Sequence, residues 1–397
     1  MTRRQILLAA LAPAAQVRTL TRGPKHHFFG YYGVSPWNAK GDKMICLESG
    51  FQNRMPKPGE TATIGIVSPT TGSFYPAVET RAWNLQQGAM LNWNPLEPND
   101  EFLYNDQQGG DIISAAFHIK TKKRRTWPRA IESVAANGRF ATCVTYGRLA
   151  RLRPVVGYAA AQDPNPTVNH PDNDGVFILD LLTGKSHLAV SMKQVYDQLV
   201  PRHPELSAKA LFFQHSVINP SSTRFFFLAR TIENGRLTSA MFTASVDGTD
   251  LREVVPYDRG VSHFTWRGSE EIMATFQVDG KVRHVLFDDA PNPVHKVIAP
   301  DFLEGDGHCT FGSNRDVIAT DRNIANPPAK RLLLYNLKTK RGSTLGEFPM
   351  KLPNGEQYLS GDTRCDLHPR WKRTGDQIAF DAIDTTDWTR QLHVCAL

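Results

Sequence analysis

Short apolar runs, some alternating with polar residues and some continuous, recur along the chain and are separated by polar turns. Seven times, a β-type run introduced by a polar residue is followed, after a turn, by a second apolar run. The introducing runs begin at His27 (HFFGYYGVSPWNAKGDKMICL), Gln87 (QGAMLNWNPLEPNDEFLYN), near Ile131 (IESVAANGRFATCVTY), His215 (HSVINPSSTRFFFLA), His263 (HFTWRGSEEIMATF), His308 (HCTFGSNRDVIATD) and His368 (HPRWKRTGDQIAF). A strand–turn–strand unit then follows from Thr63, Ile113, Gly175, Ala240, Val282 and Arg331, and a shorter RQLHVCAL runs from Arg390 to the end. A period of about 45 residues with four strands per unit predicts an all-β fold, a seven-bladed β-propeller.

The seventh unit stops after its third strand, which would leave an exposed edge. The remaining β-type segment is Gln16 to Thr21 (QVRTLT), so residues 16–21 are expected to pair with 390–397 and close the ring. The irregular part is 146–212. It carries a Pro- and Asn-rich stretch from Ala160 to Asp174 and one helix, Ser191 to Leu199, followed by Pro201. Long loops in a compact domain usually serve as rims or lids, so this insertion is expected on one face of the propeller.

Composition narrows the class. With 41% hydrophobic and 21% charged residues the chain is neither disordered nor membrane-spanning, and 16–397 reads as a single propeller domain. The net charge of +7 favours an anionic partner, but the basic residues are dispersed. The one dense run, Lys120 to Arg125, falls at a hairpin turn, so nucleic acid is not expected. Residues 1–15 (MTRRQILLAALAPAA) place paired arginines before a short apolar stretch and small residues. This reads as an export signal and a periplasmic or secreted protein, with no membrane span. Five widely spaced cysteines form no disulfide framework; Cys46, Cys143 and Cys395 read as core residues, while Cys309 and Cys365 stand beside histidines.

The innermost strand of a blade lines the central channel, so a residue repeated at blade starts forms a ring at one mouth. Five of the seven introducing residues are histidines. Each alone can be a hydrogen-bonding residue of the scaffold, but convergent imidazoles suit metal binding or proton transfer. His308 and His368 lie in successive repeats and, with Cys365, are candidate ligands for a divalent ion, zinc or manganese. His215 and His263 are candidate bases, and Arg230 is a candidate clamp for a carboxylate. His27, Tyr31, Tyr32, Trp83 and Gln87 supply imidazole, aromatic and amide groups of the kind that hold sugars. No nucleophile elbow, P-loop, dinucleotide fingerprint or HExxH helix is present. Asp366 lies near the ring, without a clear second carboxylate for a glycosidase.

The HPRWKRTGDQIAF repeat resembles the blade motif of TolB-like propellers. The set HHFFGYYG, WNLQQGAMLNW, LARLRPVVGY, VSHFTW, DGHC and RCDLHPRW resembles the propeller polysaccharide lyases of the oligogalacturonate and ulvan lyase type. This resemblance spans nearly all of residues 16–397. It implies cleavage of an acidic, uronate-containing polysaccharide or oligosaccharide by β-elimination, in a protein expected to be a monomer. It also implies that His308 and His368 belong to metal-binding blades and that His263 stands at the position of the base. Cys365 then replaces an amide ligand, and Arg370 stands where a further histidine is expected. In the ulvan lyase pattern, His215, His263, Arg230 and a tyrosine such as Tyr31 share neutralisation and proton transfer instead. A non-catalytic TolB-like propeller that binds a partner protein or an anionic glycan is the alternative, and a metal-dependent hydrolase a third.

Overall fold

A computed structural model describes residues 15–351 and 361–397. The export-signal segment therefore lies outside the described residues except for Ala15. The chain forms seven four-stranded antiparallel sheets, each a blade of the propeller. Six are consecutive in sequence, and the seventh is completed by the N-terminal strand. The innermost strands are His26–Phe28, Asn92–Trp93, Ser133–Val134, Phe212–Ile218, Phe264–Arg267, Thr310–Phe311 and Arg370–Trp371. Each lies within a few residues of the start expected from the repeat.

The tryptophan that recurs in these runs has a structural task. Trp93 Nε1 donates to Pro36 O at 2.7 Å, Trp266 Nε1 to Val217 O at 3.0 Å, and Trp371 Nε1 to Thr310 O at 3.3 Å. In each case an indole of one blade satisfies a carbonyl of the preceding blade. The repeat thus encodes the joint between blades as well as the blades themselves, and the apolar faces of neighbouring blades pack as continuous clusters.

Closure follows the expected register: Gln16–Thr19 pairs antiparallel with Thr389–Ala396, with Val17 opposite Cys395 and Thr19 opposite His393. Leu20 continues the ladder through its N–H to Leu392 O at 2.7 Å and is buried. Deleting residues 16–21 is expected to lower the unfolding free energy by several kcal/mol. Burial of Leu20 alone is worth about 2 kcal/mol, and the edge of Thr389–Ala396 would lose its partner. Urea unfolding of the shortened chain measures this; an unchanged midpoint would show that the closing strand contributes nothing.

The insertion carries two helices rather than one. The expected helix is present as Met192–Leu199, capped by Ser191, whose Oγ accepts from Gln194 N while Gln194 Oε1 accepts from Ser191 N. A second, Tyr146–Leu152, lies between the second and third strands of the third blade. We call these α2 and α1 respectively. Arg148 of α1 is fully buried and donates to the carbonyls of Leu211, Asn165, Val168 and Asn169, which pins the Pro- and Asn-rich stretch against the blade. That anchoring holds the end of α1, with Arg153, Val155 and Val156, over the channel mouth. No helix among the described residues is long and apolar enough to cross a membrane.

Candidate active site

The channel mouth opens into a cavity of about 360 Å³, a volume typical of small-molecule sites. Tyr31, Tyr32, Gln87, His215, Arg230, His263, His308 and His368 all face it. The structure thus brings together most of the residues expected from sequence. Two close approaches shape the rim: a Cβ on Gly30 (φ +96°) would sit 2.4 Å from Gly88 N, and one on Gly88 (φ +61°) would sit 2.5 Å from Phe29 O. Only glycine at both positions lets the Tyr31–Tyr32 loop touch the Gln86–Gln87 loop.

The histidines fall into two groups. In the first, His308 Nδ1 donates to Asp321 at 2.9 Å, which leaves the lone pair on Nε2, pointing inward. His368 Nε2 lies 3.1 Å from His308 Nε2, and an Asp366 oxygen lies 4.0 Å from His368 Nε2. These three residues are buried, and their donor atoms lie within 4.8 Å of one another. An imidazole held from behind by a carboxylate, beside a second imidazole and a carboxylate, is a donor set suited to a divalent ion. Asp366 is also held by Lys330 Nζ and by Arg364 Nε, the latter at 2.7 Å. Burial alone would raise the Asp366 carboxyl; Lys330 and Arg364 overcome this and hold it below the usual carboxylate range. Tyr32 packs against this group, its ring centroid 5.0 Å from that of His308 and 5.8 Å from that of His368.

His263 adjoins the same group, its ring centroid 3.9 Å from that of His308. Its Nδ1 donates to Asp306 at 2.7 Å, and Asp306 also accepts from Ser262 Oγ at 2.9 Å and from Gly307 N at 3.0 Å. The carboxylate fixes the ring and its tautomer, so Nε2 carries the lone pair. No other hydrogen bond engages Nε2 among the described residues, and the side chain keeps 20% of its surface open to the cavity. Burial lowers the pKa of His263 below 6.5 against the opposing charge of Asp306, and this net lowering favours the basic form near neutrality.

The second group is built on a bulge. His215 has φ +60° where the pairing of its strand shifts between Gln214 and Val217. Glu132 holds this bend by accepting from His215 N at 3.2 Å and Ser216 N at 2.6 Å. Both ring nitrogens of His215 are engaged: Nδ1 with Tyr31 Oη at 2.9 Å and Nε2 with Gln214 Nε2 at 2.7 Å. His215 therefore has no free lone pair for a substrate, and the two candidate bases are separated by their surroundings.

Three expected residues lie elsewhere. Cys365 is buried against Ile383, and burial pushes its thiol up to about 12. Asp366 and His368 line the cavity, the latter from a left-handed backbone position (φ +47°), while Cys365 packs into the core. Asp366 thus takes the place expected for Cys365. His27 bonds Gln391 Oε1 at 3.0 Å and Glu48 Oε2 at 3.2 Å, joining the first and seventh blades away from the cavity. Trp83 packs on Phe28 and Phe51 and donates Nε1 to Glu60 O at 3.0 Å. Arg370, where a further histidine was expected, is wholly buried against Asp381.

Asp306, Arg364 and Arg153 stand in the motifs read from sequence but were given no role there, and Asp321 and Lys330 were missed; Asp306 and Asp321 orient the histidines. Among the cavity cations, Lys330 and Arg364 hold Asp366, and Arg230 donates to Gln214 Oε1 at 2.9 Å. The Arg153 guanidinium has no hydrogen-bond or ion-pair partner among the described residues. The one signal for it was its place at the end of LARLRPVV, just before the helix-ending Pro154.

No family model matches the chain, and no curated protein matches it. Solved structures do. An oligogalacturonate lyase from Vibrio parahaemolyticus superposes with a TM-score of 0.64 at 13% identity, over 96% of this chain and 93% of that one. An oligogalacturonate lyase in complex with manganese gives 0.66 at 14% identity, again over 96% and 93%. The tricorn protease gives 0.51 at 11% identity, over 91% of this chain but only 33% of its own. The chain therefore has the fold of the oligogalacturonate lyases along nearly its whole length.

Proposed function

We propose that this protein is a lyase that cleaves a uronate-containing polysaccharide or oligosaccharide by β-elimination. The observation that carries the reading is the His263–Asp306 pair, whose Nε2 faces a cavity that also presents the Arg153 guanidinium, neither group having a hydrogen-bond partner among the described residues. Elimination needs a base for the C5 proton and positive charge at the C5 carboxylate, which lowers the acidity barrier. His263 Nε2 is the base. Asp306 keeps the ring in its reactive tautomer and stabilises the imidazolium that forms. Arg153 binds the carboxylate by paired N–H donors, and Arg230 adds positive charge from deeper in the wall.

The donor set formed by His308, His368 and Asp366 would hold zinc or manganese, and the bound ion would supply Lewis-acid polarisation of the uronate carboxylate. Asp321 orients His308 for this task, and Tyr32 walls the group against water. The oligogalacturonate lyase fold and the manganese in one neighbour agree with this assignment.

The test is the ultraviolet absorbance of the unsaturated uronate when the purified protein meets uronate glycans, before and after chelation. Hydrolysis or simple binding creates no such chromophore. Arg153→Ala is expected to lower kcat/KM by about tenfold to a hundredfold on a free uronate, the value of a charge-assisted bond. On the methyl ester, which has no anion to bind, the same variant is expected to lose much less. Equal losses on both substrates would remove Arg153 from the carboxylate site, and cleavage without the chromophore would remove elimination.

A further inference from the structure

An elimination that expels a sugar alkoxide also needs a proton at the departing oxygen, and the hydrogen bonds around His215 decide which group can give it. Arg230 Nη1 can only donate, so the group it meets at 2.9 Å on Gln214 is the amide oxygen. The other end of that amide, Nε2, then faces His215 Nε2 at 2.7 Å and must donate to it. Burial, with the charge of Arg230, holds His215 well below 6.5, so the ring is neutral and has a single N–H. Since Nε2 accepts, the proton is on Nδ1.

The Nδ1–H lies 2.9 Å from Tyr31 Oη and donates to it. A second group agrees. Gln87 Oε1 is buried without a partner, while its Nε2 lies 3.4 Å from the same His215 Nδ1. A half-turn of the Gln87 amide, which preserves its shape, brings Oε1 to that nitrogen, and only a protonated Nδ1 can satisfy it. Because Tyr31 Oη accepts from His215, its own hydroxyl hydrogen is taken by no acceptor among the described residues and can point into the cavity that Tyr31 lines.

From this chain of bonds we infer that Tyr31 is the proton donor to the leaving sugar, and that Arg230, Gln214 and His215 are positioning residues that keep its hydroxyl hydrogen directed at the cavity. The inference rests on the elimination reading for its chemistry, but the tautomer of His215 can be measured without it. In the step, His263 Nε2 takes the C5 proton and the C5–H electrons form the C4–C5 double bond. The C4–O4 bond breaks, and O4 takes the proton of Tyr31 Oη. Proton transfer through water from His263 back to the Tyr31 phenolate then restores both groups, with no net gain or loss. Burial keeps the Tyr31 phenol well above its ordinary pKa, so it starts each cycle protonated.

Gln214→Glu tests the relay. A carboxylate beside Arg230 keeps that contact but can only accept from His215 Nε2, so the ring proton moves to Nε2 and Tyr31 must donate to Nδ1. Nitrogen NMR of the histidine rings is expected to show the Nδ1–H tautomer for His215 in the native protein and Nε2–H in Gln214→Glu. With a sugar leaving group, Tyr31→Phe and Gln214→Glu are each expected to lower kcat about a hundredfold with little change in KM. With an acidic phenol as the leaving group at O4, which departs unaided, each is expected to lose less than about tenfold. An Nε2–H tautomer in the native protein overturns the relay whatever the activity. Equal losses on the two leaving groups overturn the donor role and make Tyr31 a packing residue.

Discussion

His263→Ala is expected to lower kcat by about a thousandfold on a uronate substrate, within the range for loss of a general base, while the folded protein persists. The ring is only part of the wall, and Asp306 keeps its bonds from Ser262, Thr275 and Gly307 when the imidazole is removed. Asp306→Asn is expected to be nearly as damaging, although it preserves shape. Its amide can donate to Nδ1 and so move the ring proton to Nε2, where the lone pair is needed. Single-turnover rates with deuterium at C5 separate chemistry from binding: the native enzyme should show a primary isotope effect on the chemical step. If His263→Ala keeps native turnover, another group takes the proton. His215 is then a poor substitute, because both of its nitrogens are already engaged.

The blades were legible because each repeats a short code with a local physical meaning. An alternating or apolar strand, a polar turn and a tryptophan that reaches the preceding blade recur often enough to set both strand number and ring closure. The histidines at the mouth were legible for the same reason: a repeat position maps to one place in space. What lies behind them was not. Asp321 is 13 residues from His308 and Asp306 is 43 from His263, and both meet their partners only when strands pair or blades join. That Asp366 and not Cys365 reaches the cavity was not legible from spacing, because the segment before Arg370 is irregular and His368 takes a left-handed backbone conformation (φ +47°). Helix α1 was missed because its seven residues contain Gly147 and lack a side-chain cap, and its task of carrying Arg153 depends on Arg148 binding distant carbonyls.

Asp381→Ala is expected to destabilise the protein by about 3–5 kcal/mol, the usual loss when a buried ion cluster is left without one partner. Asp381, Arg370 and Arg390 are all wholly buried. The carboxylate accepts from Arg370 at 3.0 and 3.1 Å and from Arg390 at 2.7 Å. It also accepts from the backbone N–H groups of Phe29 and Gly30 at 3.2 and 3.1 Å. Removing it leaves two guanidinium cations in the interior without their counter-charge and two N–H donors without an acceptor, although Arg390 keeps Leu85 O and Gln52 Oε1 and both cations keep the faces of Phe29 and Phe28. Because Arg370 Nε also donates to Tyr31 O, the cluster holds the loop that carries Tyr31 and Tyr32 against the seventh blade. Activity should therefore fall with stability even though no member of the cluster lines the cavity. The pH dependence has a definite sign. Burial would raise the Asp381 carboxyl, but the two arginines hold it below its ordinary value in the folded state. Its contribution is then fully present above the unfolded pKa of about 4 and is lost only as the pH falls through the lower folded value. Urea unfolding should show the full difference between native protein and variant at neutral pH, and a narrowing gap in acid. A difference under about 1 kcal/mol at neutral pH would mean that the arginines find other partners and that the mouth is held by packing alone.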